Sequence, residues 1–245
     1  PFQRSAAEFA SGYSDATTIE NLFSYDDLYT TATTNAANMV TFLGNHDMGR
    51  AGKIIESKRI NPANELLPRT LLGHSLMYLT RGIPSVYYGD EVGMIGTGSG
   101  SDQLARQDMF STKVNIWKTE KRIGSSPIGT GNAFDVTDKH PIANHLKALA
   151  NLRTANPALA NSSMQIRYAK DYLLAISKKD DAENREYIVA FNNSNTLFSS
   201  IYFLLCSLIS LFAFVTFISP ITSSSNAITG AIPHVPIHLI ASKVK

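Results

Sequence analysis

Cysteine occurs once in the 245 residues, at Cys206 inside an apolar run. A lone thiol excludes an internal disulfide framework and any cysteine-built metal cage, and burial among apolar neighbours is its ordinary fate. An excess of either charge is also missing, since 22 Lys and Arg against 20 Asp and Glu leave a formal charge of +2. The basic residues are scattered and form no stripe that follows a phosphate backbone, so nucleic acid is excluded as a partner. The alternating glycines Gly96, Gly98 and Gly100 lack the Gly-Lys-Ser/Thr and the helix start that a nucleotide loop needs. His234 and His238 have helical spacing, but Pro233 and Pro236 break the helix that would align them, and His140 and His145 fit no ligand pattern. No metal site and no cofactor are therefore expected in this chain. A start methionine followed by an apolar stretch is lacking too: the chain opens on Pro1-Phe2-Gln3-Arg4, which reads as the interior of a longer protein.

What is present is enough for a substantial core, at 44% hydrophobic and 17% charged residues. Residues 1–38 are polar with short apolar patches around Phe9 and Leu22-Phe23, which predicts helical segments joined by turns at Ser11-Gly12 and Tyr25-Asp26-Asp27. The run Met39 to Leu43 is short, partly β-branched and closed by Gly44-Asn45, and so predicts a buried strand. Pro68 suits the first turn of a helix whose apolar positions Leu71, Leu72, Leu76 and Leu79 recur near helical spacing, ending by Gly82. A second strand is predicted from Ile83 to Tyr88, with Pro84 at its start. Strand, helix and strand with short connections require a parallel sheet with a right-handed crossover. After a long loop from Gly89 to about Asp138, Pro141 opens a helix carrying Ile142, Leu146, Leu149 and Leu152 and stopped by Pro157. The pattern then changes to alternating stretches at 164–168, 172–177 and 186–191, which predict antiparallel strands of a separate β domain.

The final segment differs in kind. Thr196 to Ile218 contains no charged residue, a length that spans a hydrocarbon core as a helix. Three readings stand side by side: a membrane anchor, buried hydrophobic strands, and a sequence shifted out of its reading frame at Asn192-Asn193-Ser194-Asn195. Contact with a membrane is expected only under the first.

The string Thr41-Phe42-Leu43-Gly44-Asn45-His46-Asp47-Met48-Gly49-Arg50 sets His, Asp and Arg directly after a predicted strand. In a parallel α/β fold that position is the C-terminal edge of the sheet, where catalytic groups collect. A single Asp there is also a common helix N-cap or turn residue. The Phe-x-x-Asn-His-Asp string resembles the signature after the seventh barrel strand of glycoside hydrolase family 13, the α-amylase family. Gly82-Ile83-Pro84-Ser85-Val86-Tyr87-Tyr88-Gly89-Asp90-Glu91 resembles that family's eighth-strand segment, Gly-x-Pro-x-x-x-x-Gly-x-Glu. The stretches 104–110, 121–126 and 187–193 also look like bacterial α-amylases, and the resemblance runs from Pro1 to about Asn195.

The resemblance implies an α/β fold: a partial (β/α)8 TIM barrel, about strands seven and eight with their helices, over 1–157. The start of an antiparallel β domain over 158–195 and an aberrant hydrophobic tail over 196–245 follow it. Asp47 matches the carboxylate that stabilises the oxocarbenium-like transition state, and His46 matches an imidazole that hydrogen-bonds hydroxyls of the same sugar. Asn45 is expected as a buried support that fixes the orientation of Asp47. Arg50 is assigned to substrate binding, with an ion pair as the competing reading. Tyr87 and Tyr88 are read first as packing residues, and Trp117 either packs or stacks on sugar. Pro1-Phe2-Gln3 resembles the end of strand six, which puts the nucleophile, the acid/base and any structural calcium region before this chain. The resemblance further implies a secreted or periplasmic parent that hydrolyses α-1,4 bonds of starch-like glucans with retention, and a chain that is inactive alone. An α-glucosidase or transglycosylase of the family, and a membrane-anchored non-catalytic relative, are the alternatives.

Overall fold

The computed structural model describes residues 1–58, 65–96, 102–129, 132–182, 184–194, 214–218 and 241–243. Gly98, Gly100, Cys206, His234 and His238 lie outside the described residues. The chain opens with helices α1 (Phe2–Ser11) and α2 (Thr17–Phe23), followed by single 3-10 turns at Asp26–Tyr29 and Ala36–Asn38. Phe2 and Gln3 thus belong to the first turn of a helix and not to a strand end, a correction to the expectation for Pro1-Phe2-Gln3. The cause is amphipathy: Gln3, Ala6, Ala7, Phe9 and Ala10 form one buried face.

Strand β1 (Val40–Phe42) leads through α3 (Ala51–Lys58) and α4 (Leu66–Leu79) into β2 (Ile83–Ser85). The two strands pair in parallel, Val40 with Ile83 and Phe42 with Ser85. Both are shorter than the apolar runs that predict them, because only these residues meet in register. Helix α4 is buried nearly all round, with Leu71, Leu72, Leu76 and Leu79 in the core and Pro68 in its first turn. The turn back to β2 depends on Gly82, whose φ of 111° and lack of a side chain let it lie against β1; a Cβ there would stand 2.9 Å from the Met39 carbonyl oxygen.

The long segment after β2 contains the short helix α5 (Asn115–Thr119) and several 3-10 turns before α6 (Pro141–Ala155) and α7 (Ala158–Asn161). Pro141 occupies the first turn of α6, and the His140 imidazole caps it by accepting the Ile142 N–H. Strands β3 (Met164–Lys170), β4 (Leu173–Asp180) and β5 (Arg185–Asn192) form an antiparallel meander. Strands β6 (Phe214–Ile218) and β7 (Ala241–Lys243) extend this sheet along β5, the first parallel and the second antiparallel. Of the apolar stretch 196–218, only 214–218 is described, and it is strand. No helix among the described residues is long and apolar enough to cross a membrane.

One hydrophobic core joins the helices to the sheet: Phe9, Ile19, Leu72 and Leu149 pack in the same cluster as Ile176, Val189 and Phe191. Polar bolts cross the same seam. Arg69 donates to the carbonyls of Ala10 and Asn193, the Asn193 amide donates back to Phe9 and Ser14, and the Lys178 ammonium donates to Thr80 and Leu159. Burial of that ammonium, with the Arg153 charge adding to it, lowers the Lys178 pKa to about 7.

Candidate active site

The chain leaves β1 through Leu43, which is buried, and Gly44, where a Cβ would press on the Gly49 carbonyl at 3.0 Å and on the Asp90 carboxylate at 3.2 Å. A tight turn follows. The Asn45 N–H donates to the Gly49 carbonyl, and its side-chain oxygen accepts the N–H groups of Asp47 and Met48 at 3.0 and 2.6 Å. This is the local turn that Asn builds more readily than other residues. Gln3 of α1 donates to the Gly49 carbonyl from behind, at 3.1 Å. The result is a rigid lip that presents His46 and Asp47 to solvent, with side-chain exposures of 66% and 67% and 3.4 Å between imidazole Nε2 and carboxylate. Asn45 is half-buried instead of buried, and it holds the backbone of Asp47 instead of its carboxylate.

Arg50 stands apart from that lip. Its side chain is fully buried, and its Nη1 donates to Asp90 at 2.5 Å and to the Tyr88 carbonyl at 2.8 Å. Its Nε donates to Gln107, whose amide in turn donates to both oxygens of Glu120 at 3.0 and 2.9 Å. The guanidinium also lies 4.6 Å from the centre of the Tyr87 ring. Buried and engaged by Asp90, the Tyr88 carbonyl and Gln107, Arg50 takes up the ion pair that competed with substrate binding, and it braces the lip from behind. Burial raises Glu120 above the usual carboxylate range against the opposing pull of Gln107 and Arg50. Glu91 is likewise raised by burial, and one of its oxygens is buried without a partner.

A second arginine reaches the lip from the opposite loop. Arg106 donates through Nε to the His46 carbonyl at 3.0 Å, and its Nη2 lies 3.7 Å from Asp47 and 2.8 Å from Asp102. Tyr87 is a packing residue whose hydroxyl donates to the Ala105 carbonyl, and burial pushes its pKa up to about 12. Tyr88 is partly exposed, 4.6 Å from Tyr87 ring to ring. Trp117 lines a small enclosed cavity with Gln107, Asp108, Thr112, Glu120 and Arg122, and its indole N–H is buried without a partner. Asp90, Arg106, Gln107 and Glu120 escaped the reading of the sequence for roles. The available signal was position: all four lie in the loop after β2, on the same side as the lip. Among the described residues no group of three or more His, Cys, Asp or Glu side chains stands where it would hold a metal ion.

A parallel β-α-β unit with a carboxylate and an imidazole on the turn leaving its first strand sets both at the carboxyl end of that strand, the edge at which sites of α/β folds form. The chain belongs to the α-amylase family: the model of the α-amylase catalytic domain matches residues 2–162. It is 41% identical over 199 residues to an α-amylase of Streptomyces lividans, covering 80% of this chain and 21% of that protein. It is 30% identical over 159 residues to a cyclomaltodextrin glucanotransferase of Paenibacillus macerans, covering 65% of this chain and 17% of the relative. The chain thus spans about a fifth of the length of these curated relatives. Its fold is similar to the solved α-amylase of Anoxybacillus, with a TM-score of 0.56 and 20% identity over 80% of this chain and 35% of that one. It is also similar to the α-amylase of Geobacillus thermoleovorans, solved with acarbose, with a TM-score of 0.53 and 19% identity over 78% and 36% of the two chains. Both likenesses support a (β/α)8-barrel-type fold with an antiparallel sheet.

Proposed function

We propose that this chain supplies Asp47 and His46 to an α-amylase-type active site that hydrolyses α-1,4 bonds of starch-like glucans with retention. The observation that carries the reading is the lip itself: an exposed carboxylate and imidazole side by side, on a turn whose Asp47 and Met48 N–H groups donate to the Asn45 side-chain oxygen, braced by two arginines. Such a carboxylate serves to stabilise positive charge growing on a sugar ring, and the imidazole to hold that ring's hydroxyls. Retention requires a nucleophile and an acid/base about 5 to 5.5 Å apart. In this reading both come from barrel strands outside the chain, so residues 1–245 alone cleave no starch, and any calcium belongs to the larger protein. The family resemblance also favours a secreted or periplasmic parent.

Relatives include both α-amylases and cyclomaltodextrin glucanotransferases, and the choice of hydrolysis follows the more similar of the two. The test is Asp47→Asn in the full-length protein. Turnover on starch is expected to fall by orders of magnitude while thermal unfolding is unchanged, because an exposed carboxylate contributes little to stability. Near-normal turnover of that variant, or starch cleavage by purified residues 1–245, would overturn the role of Asp47 or the missing pair. A full-length protein that yields only cyclic or transferred products replaces hydrolysis by transglycosylation.

A further inference from the structure

Two cations stand at the seam between the helices and the antiparallel sheet, and neither has a carboxylate for a partner. The Arg153 guanidinium, in the last turn of α6, donates through Nη1 to the Tyr78 carbonyl and through Nη2 to the Gly82 carbonyl, the second at 3.4 Å. Lys178, 1% exposed, donates to the carbonyls of Thr80 and Leu159 at 3.0 and 2.6 Å. Among the described residues no Asp or Glu forms an ion pair with either. Helix ends compensate only in part. The C-terminal ends of α4 and α6 supply roughly half a negative charge each, so two full positive charges leave about one unbalanced. The deficit shows in both groups: burial holds Arg153 below its usual range, and burial together with the Arg153 charge lowers Lys178 to about 7.

A groove opens beside this pair. Tyr78, Arg153, Thr154, Pro157, Ala160 and Asn161 line a concavity of about 390 Å³, and no acidic side chain lines it. Leu159, whose carbonyl holds Lys178, lies between Pro157 and Ala160, so the ammonium is fastened to the wall of the groove. Three donors there lack a protein acceptor among the described residues: the Arg153 Nε–H, the Tyr78 hydroxyl and the Asn161 amide. Burial pushes the Tyr78 phenol up, which keeps it protonated and a donor. A guanidinium with a spare N–H, two neutral donors and no carboxylate select an oxyanion, whereas a neutral sugar would leave the charge unmatched. The chain passes Tyr78 and Gly82 on its way into β2, the lip follows the end of β1, and the two strands are parallel. Groove and lip therefore lie at opposite ends of the sheet. We infer that the groove binds a small oxyanion of the phosphate or sulfate class, held by Arg153, Tyr78 and Asn161, which supplies the missing counter-charge and fastens the sheet to the helices.

The test is calorimetric titration of the full-length protein with sodium sulfate, against sodium chloride at equal ionic strength. Saturable binding of sulfate and none of chloride is expected. Sulfate at high concentration also stabilises proteins without binding, so substitutions in the groove decide. Asn161→Asp sets a like charge on the rim and is expected to weaken sulfate at least about tenfold. Tyr78→Phe removes one donor and is expected to weaken it about fivefold. Asn161 is exposed and Tyr78 half-buried, and circular dichroism of both variants is expected to match the wild type. Glucose 6-phosphate distinguishes the source: tighter binding than sulfate supports the site and assigns a phosphate ester, and equal binding supports it and assigns the free ion. No saturable binding, equal binding of chloride, or an affinity that neither substitution moves overturns the site and leaves the seam to the helix ends alone. None of these outcomes depends on starch cleavage, so the α-glucan reading stands or falls separately.

Discussion

The ion pair between Arg50 and Asp90 is the best point at which to test how the lip is held. The Arg50 side chain is fully buried and Asp90 nearly so, with 2.5 Å between Nη1 and the carboxylate. Asp90→Asn keeps the shape and removes the charge, which leaves a guanidinium in the interior with the Tyr88 carbonyl, Gln107 and the Tyr87 ring as neutral company. Two opposite charges about 4 Å apart attract by roughly 4 kcal/mol at an effective dielectric constant near 20. Removal of one partner of a buried pair typically costs about 3 to 5 kcal/mol. The two figures agree, and against a total stability of about 5 to 15 kcal/mol the loss is severe. Urea unfolding of wild type, Asp90→Asn, Arg50→Met and the double variant Arg50→Met/Asp90→Asn completes a cycle. The double variant is expected to be more stable than the sum of the single losses predicts by several kcal/mol, since it leaves no uncompensated charge. Single losses below about 1 kcal/mol, or strict additivity, would refute the claim that this pair braces the lip.

Other outcomes follow from the same structure. Burial, reinforced by Arg122 in one case and His74 in the other, holds His140 and His145 at pKa values of about 4, against 6.5 when unfolded. The unfolded chain takes up protons first, so stability is full above pH 6.5 and falls as pH drops toward 4, by at most about 3 kcal/mol per histidine. The urea midpoint against pH should show this slope, and a flat profile over that window would contradict it. Asn45→Ala removes the acceptor for two backbone N–H groups, with an expected cost of about 1 kcal/mol. Turnover of the full-length protein should drop with it; full activity would mean that the turn forms without its cap.

Much of the local architecture is legible because it depends on near neighbours. The spacing of Leu71, Leu72, Leu76 and Leu79 marks α4, Pro141 marks the start of α6, and the alternating stretches mark β3, β4 and β5. These elements follow from periodicity and backbone chemistry that a few residues decide together. The first turn of helix α1 is not legible in the sequence, since Gln3 joins its buried face only against the elements the helix packs on. The apolar stretch after 195 shows the limit from the other side: the absence of charge fits a membrane helix, yet its described part, Phe214–Ile218, is a strand held by β5. Strand pairing needs a partner elsewhere in the chain, and composition carries no record of it.

The sequence by itself determined that a turn bearing His46 and Asp47 follows a strand, because Gly44, Asn45 and Gly49 lie within six residues and Asn45 closes the turn onto Met48 and Gly49. Only the tertiary structure decided what stands behind and beside it. Arg50 meets Asp90 forty positions away and Gln107 fifty-seven away, Arg106 reaches His46 across sixty, and Phe110 meets Phe134. A charged or aromatic residue reads the same in sequence whether it faces water, a partner or a ligand. Desolvation and pairing distinguish these fates, and both are set by long-range packing that brings separate loops to one edge of the sheet.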